Sequence, residues 1–174
     1  KSDSCTKVDL ALGFGPVVIE TVNLDRPEGT GFDKVLGFTI PDSHARGRVL
    51  RLGPALEKVL SAHDYPPSVK HLLAEALVLT GLMGALLKEE GSQLTIQAQA
   101  TGGPVTLLVC DYIDGAVRGY VSCDNEQVAA AGTSPRLEKL FGEGYLAITF
   151  DLAVTGERYQ GIVPLEGASL TQNI

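Results

Sequence analysis

Three cysteines, Cys5, Cys110 and Cys123, and three histidines, His44, His63 and His71, are the residues of this 174-residue chain best suited to hold a soft metal ion or attack a substrate. Their spacing does not favour either task. Neither C-x-x-C nor C-x-C occurs, so no thiolate pair is placed to clamp zinc or to cycle a disulfide. No His-x-x-x-His sets two imidazoles on one helix face. His63 and Asp64 are adjacent, a poor geometry for a hydrolase relay, and no G-x-S-x-G elbow supplies a nucleophile. The 21 acidic residues fall mostly at turns and element ends, where solvated surface charge explains them. No catalytic residue, no metal ligand and no cofactor site is therefore expected in this chain.

The cysteines sit on an expected hairpin. Asp114-Gly115 predicts a two-residue turn between strands 105–112 and 116–123. In that register Cys110 faces Gly119 and Cys123 faces Thr106, roughly 13 Å apart along the ladder. A disulfide needs Cα atoms within about 7 Å, so two single thiols are expected. The register also sorts the side chains into faces. Thr106, Leu108, Cys110 and Tyr112 join Val117, Gly119, Val121 and Cys123 on an apolar face meant for the core. Val105, Leu107, Val109 and Asp111 join Ala116, Arg118, Tyr120 and Ser122 on the other. There Asp111 opposes Arg118, and such charges imply water. Leu107, Val109 and Tyr120 then form an apolar patch on a wet face, a candidate surface for a protein or partner subunit. A further layer covering that face is the competing reading.

The elements that position this hairpin follow from periodicity. Strands are expected at 35–40 and 46–52, and a helix from Gly53-Pro54 to about 62. A long helix over 66–88, capped by Asp64 and ended by Gly91, is apolar on nearly every side. Leu77, Leu79, Leu82 and Leu86 are expected to be nearly fully buried in it, while Gly81, Gly84 and Ala85 allow another backbone to approach. Strands at 94–100, 145–152 and 157–163 complete the pattern, the last two around Thr155-Gly156. Short helices fall at 125–131 and 135–140, the second capped by Ser134, and 165–174 begins another. The fold class is α+β: mainly antiparallel β-sheets with a long buried central helix and several short helices. Residues 1–34 read as an arm or edge strand, with a β-branched run at Val17 and a turn at Gly29-Thr30-Gly31.

Composition bounds the function. The chain is 44% hydrophobic and 20% charged, which suits one folded domain. A net charge of −7 argues against nucleic acid as the main partner. The longest apolar stretch, 72–87, is too short for a membrane span. The sparse cysteines and the absence of an export signal in residues 1–20 suggest a reducing, cytoplasmic setting.

Several stretches resemble one family. They are Leu36-Gly-Phe-Thr-Ile-Pro41 with Ala45-Arg-Gly-Arg-Val49; His63-Asp-Tyr-Pro-Pro67 with Leu72-Leu-Ala-Glu-Ala-Leu-Val-Leu-Thr80; Gly103-Pro-Val-Thr-Leu-Leu-Val-Cys-Asp-Tyr112; Gly115-Ala-Val-Arg-Gly-Tyr120; and Phe141-Gly-Glu-Gly-Tyr-Leu-Ala-Ile-Thr-Phe150 with Glu157-Arg-Tyr-Gln-Gly-Ile-Val-Pro-Leu165. In this order they resemble the N-terminal domain of the redox-regulated heat-shock holdases (HslO), from about Val35 onward.

The resemblance implies a cytoplasmic bacterial chaperone, not an enzyme, that binds unfolding client proteins without ATP under oxidative and heat stress, typically as a homodimer when active. It also implies a C-terminal zinc switch of four thiolates from C-x-C and C-x-x-C. This sequence has neither motif, so zinc is expected outside this chain, which is read as a fragment or a switchless homologue. The implied division is 1–34 as an arm, 35–165 as the core domain and 166–174 as the start of a linker helix. Two other readings compete: an enzyme or small-ligand domain with a pocket between sheet and long helix, and a structural oligomerisation domain with an isologous interface.

Overall fold

Alternating apolar and polar residues, punctuated by turn chemistry, build two antiparallel sheets with a helix between them. The structure is a computed structural model; it describes the backbone of residues 6–8 and 17–23, and residues 32–173 in full. The first sheet runs β1 (Thr6–Val8), β2 (Val17–Asn23), β3 (Lys34–Ile40), β4 (Ala45–Arg51) in that order. The β-branched run at Val17 thus becomes an inner strand paired to β3, with β1 at the edge. Cys5 and the turn expected at Gly29-Thr30-Gly31 lie outside the described residues.

The second sheet has the order β7-β6-β5-β8-β9. Its strands are β5 (Gln93–Gly102), β6 (Val105–Ile113), β7 (Ala116–Cys123), β8 (Gly142–Asp151) and β9 (Arg158–Pro164). Asp114 and Gly115 both take positive φ, 48° and 86°, as a two-residue hairpin turn with matching twist demands. Helices α1 (Pro54–Ser61) and α2 (Pro67–Gly84) join the sheets, and α3 (Asn125–Ala130) and α4 (Leu137–Phe141) link β7 to β8. This is the expected α+β class.

Several details differ from the sequence expectations. Cys123 faces Val105, not Thr106, because the ladder shifts between Val105 and Leu107 and leaves Thr106 as an extra residue. Beyond the shift Val105 turns into the core and Thr106 turns out to solvent. Helix α2 stops at Gly84, and its N-cap is Pro66 with no side-chain cap, so Asp64 does not serve there. Ser134 is likewise displaced as a cap by Arg136. The helix expected after residue 165 is a single 3-10 turn, Leu170–Gln172, with Leu170 fully buried.

The face of α2 toward the second sheet forms the core: Val69, Leu72, Leu73, Ala76 and Leu77 against Ile96, Leu108, Cys110 and Val121. Gly119 makes this contact close, since a Cβ there would sit 2.8 Å from Leu73 Cδ1 and 2.9 Å from Cys110 Sγ. The opposite side of α2 is covered less completely. Leu50 of β4 lies over Gly81, but Leu79 and Leu82 are only half-buried and Leu86, past the helix end, is 49% exposed. What approaches Gly81 and Gly84 is a side chain, Leu50 and Tyr112 respectively, rather than another backbone.

The edge of the second sheet is capped by a tyrosine. Buried Tyr65 donates its hydroxyl proton to the Val121 carbonyl and accepts from the Val121 N–H, both at 3.0 Å. Tyr65→Phe strips both partners from a buried backbone pair, an expected loss of about 1–3 kcal/mol in urea unfolding. A loss under about half a kilocalorie, the range of a surface change, would show that water substitutes for the hydroxyl.

Candidate functional site

The hairpin that carries Leu107, Val109 and Tyr120 has one face on α2 and one face open. Strand periodicity puts Leu108, Cys110, Tyr112 and Val121 inward, all buried. Leu107, Val109 and Tyr120 share the outward face, Tyr120 being 44% exposed and the other two half-buried. Coverage varies along this face: Tyr120 and Ile162 are exposed, whereas Ala147 and Thr149 are buried.

Register extends the patch across the whole sheet. Tyr120 pairs with Val109, Val109 with Gln97, Gln97 with Ala147, and Ala147 with Ile162. One row therefore crosses five strands, broken only at Gln97 by a polar residue. On one side Leu107, Gln99, Tyr145 and Pro164 form the next row, with the Tyr145 hydroxyl donating to Gln99 Oε1 at 2.8 Å. A shallow depression of about 290 Å³ opens among Gln97, Tyr145, Ala147, Gln160 and Ile162.

The other flank is a polar row whose hydrogen bonds are satisfied within it. Arg118 Nε donates to Asp111 Oδ2 at 2.8 Å, and Thr95 donates to Asp111 Oδ1 at 2.7 Å. Gln160 donates to Thr149 Oγ1 at 2.8 Å. The expected Asp111–Arg118 pair is thus formed, and it keeps one border of the apolar row wet. His63 packs edge-on against Tyr120, ring centroids 5.5 Å apart, and also meets Tyr65 at 5.1 Å.

Ala147, Tyr145 and Ile162 were absent from the sequence expectation. Their alternation was visible in strands 145–152 and 157–163, but only the pairing of β8 with β5 places them beside Val109.

The chemically capable residues remain dispersed. Cys110 and Cys123 are free thiols on different rungs of the hairpin. Burial pushes the Cys110 thiol up to about 12, so it stays protonated and inert near neutral pH. Burial, and then the neighbouring Asp124, also raises Cys123. No group of three or more His, Cys, Asp or Glu among the described residues could hold a metal ion. The space between second sheet and α2 is filled by core side chains. The buried hydroxyls there are paired locally: Thr80 donates to the Ala76 carbonyl and Ser92 accepts from the Ala153 N–H.

Fold and face together define a small α+β domain that presents a broad sheet surface rather than an enclosed pocket. The profile of the Hsp33 protein family matches residues 33–174, and the chain belongs to that family. The 33 kDa chaperonin of Caulobacter vibrioides (strain NA1000 / CB15N) is 44% identical over 142 residues, covering 79% of this chain and 46% of the relative. That of Yersinia pestis (strain Pestoides F) is 37% identical over 138 residues, covering 79% and 45%. The chain spans about half the length of the curated relatives it matches. The crystal structure of a 33 kDa chaperonin from Thermotoga maritima shares the fold, with a TM-score of 0.61 at 21% identity, covering 83% of this chain and 47% of that one.

Proposed function

We propose that this chain is the client-holding part of an ATP-independent chaperone, binding unfolding proteins in the bacterial cytoplasm under heat and oxidative stress. The observation that carries the reading is the outward row in which Tyr120 and Ile162 are exposed and Val109 is half-buried, with Leu107 beside it and Ala147 buried within it, in a domain of the Hsp33 family. A holdase needs apolar area that water can reach and no reacting groups. A wide, wetted sheet face meets that need better than a deep pocket. The net charge of −7 would help keep client complexes dispersed.

In this reading residues 35–165 are the core domain, 1–34 an arm and 166–174 the start of a linker. The zinc switch belongs to sequence outside this chain, which has no C-x-C or C-x-x-C to build it. The active form is a homodimer. A chain without the switch acts without oxidation. The test is light scattering from a thermally unfolding protein, in reducing buffer and without ATP. Suppressed aggregation is expected, and no suppression at any molar ratio would refute a constitutively active domain.

A further inference from the structure

A second open feature lies on the other side of α2. A cleft of about 710 Å³ separates the first sheet from the end of α2 and the turn after it. Its two walls differ in chemistry. Arg46 and Arg48 of β4, two residues apart and both exposed, line one wall, with Gly37 and Thr39 of β3. Leu82, Met83 and Leu86 line the other, and Lys88 adds a third cation. No carboxylate lines the cleft among the described residues, and the ion pairs Asp111–Arg118 and Asp151–Arg158 lie on the other sheet. Residues 34–51 hold Lys34, Arg46, Arg48 and Arg51 against the single acid Asp42, in a chain whose net charge is −7.

Charge complementarity calls for an anionic occupant, and the leucine wall for one that also carries aliphatic groups. Arg46 and Arg48 are spaced at about 7 Å, two steps of strand rise. An extended peptide has the same period and sends successive side chains to opposite sides. Acidic residues at alternate positions would meet Arg46 and Arg48, while the residues between them would meet Leu82, Met83 and Leu86. A fatty acid has one carboxylate for three cations, and a sugar–phosphate chain has nothing for the aliphatic wall. We infer that this cleft docks an extended segment of another protein in which acidic and aliphatic residues alternate. The site is distinct from the outer sheet face and does not depend on its role.

The experiment uses the full chain and a fluorescein-labelled octapeptide of alternating Glu and Leu, followed by anisotropy. Saturable binding is expected, weakening between 0.05 and 0.3 M salt by the ordinary screening of exposed charges (both concentrations about these values). Arg46→Ser with Arg48→Ser should weaken it about tenfold, and Val109→Ser with Tyr120→Ser should leave it unchanged. The same peptide with Lys for Glu should not bind. Equal binding of the Lys peptide, indifference to the double arginine variant, or binding of oleate without the peptide would each overturn the assignment. A thermal melt of the arginine variant, whose altered side chains are both exposed, checks its fold. Absence of peptide binding by the unaltered chain, where that chain still suppresses aggregation, would remove this site and leave the sheet-face reading standing.

Discussion

Leu77→Ala is expected to lower the unfolding free energy by about 2–5 kcal/mol, read from urea or guanidinium transitions. Leu77 is fully buried in α2, and its Cδ2 would stand 3.1 Å from a Cβ added at Gly119, so it fills a close contact between helix and second sheet. Gly119 offers no side chain to move into the space. The cavity therefore stays open, and the cost lies toward the upper part of that range. Leu82→Ala, which the all-round apolar pattern made look equivalent, should cost less because Leu82 is half-buried beside the cleft. Equal losses at the two positions would show that both sides of α2 are packed alike.

Gly103→Ala should cost about 3 kcal/mol or more, because overpacking is relieved only by moving backbone. A Cβ at Gly103 would run into the Leu140 carbonyl oxygen and the backbone of Phe141. The contact is reciprocal: Gly142 has φ 69°, and a Cβ there would stand 2.6 Å from the Thr101 oxygen. Two chain segments thus cross with no room for a methyl group, where β5 passes to β6 and α4 passes to β8. Neither segment can yield like the end of a long side chain. Circular dichroism melts and denaturant unfolding read the effect, and a loss below about half a kilocalorie, as at a free surface, would show the crossing to be looser than described.

What the sequence revealed was largely local. Asp114-Gly115 fixes its hairpin because the turn chemistry resides in those two residues, and the Asp111–Arg118 pair follows from the count. The open face with Leu107, Val109 and Tyr120 was legible for the same reason. The shift at Thr106 was not. It occurs where Gly103 is pinned by α4 and Asp124 N–H donates to the Pro104 carbonyl at 2.8 Å, contacts made by distant residues. The end of α2 was hidden too, since leucines continue to Leu87 after the helix closes at Gly84. Apolar composition alone did not distinguish the α2 side on the second sheet from the side facing the cleft. The reach of the outer patch to Ala147 and Ile162 depends on β8 pairing with β5, two strands separated by the whole β6–β7 hairpin.

The outer sheet face is the centre of the functional reading, and one comparison tests it most directly. A protein that aggregates on warming is followed by light scattering in reducing buffer without ATP, in the presence of the unaltered chain, of Val109→Ser with Tyr120→Ser, and of Cys110→Ser. Val109 and Tyr120 point outward, Tyr120 being 44% exposed and neither belonging to the buried core, so the double variant should keep its fold. Cys110 is fully buried on the opposite face, and its change should lower the melting temperature first. The unaltered chain should suppress aggregation, and the double Ser variant, with an unchanged melt, should lose most of that protection. Undiminished protection by a folded double Ser variant would contradict the sheet-face reading.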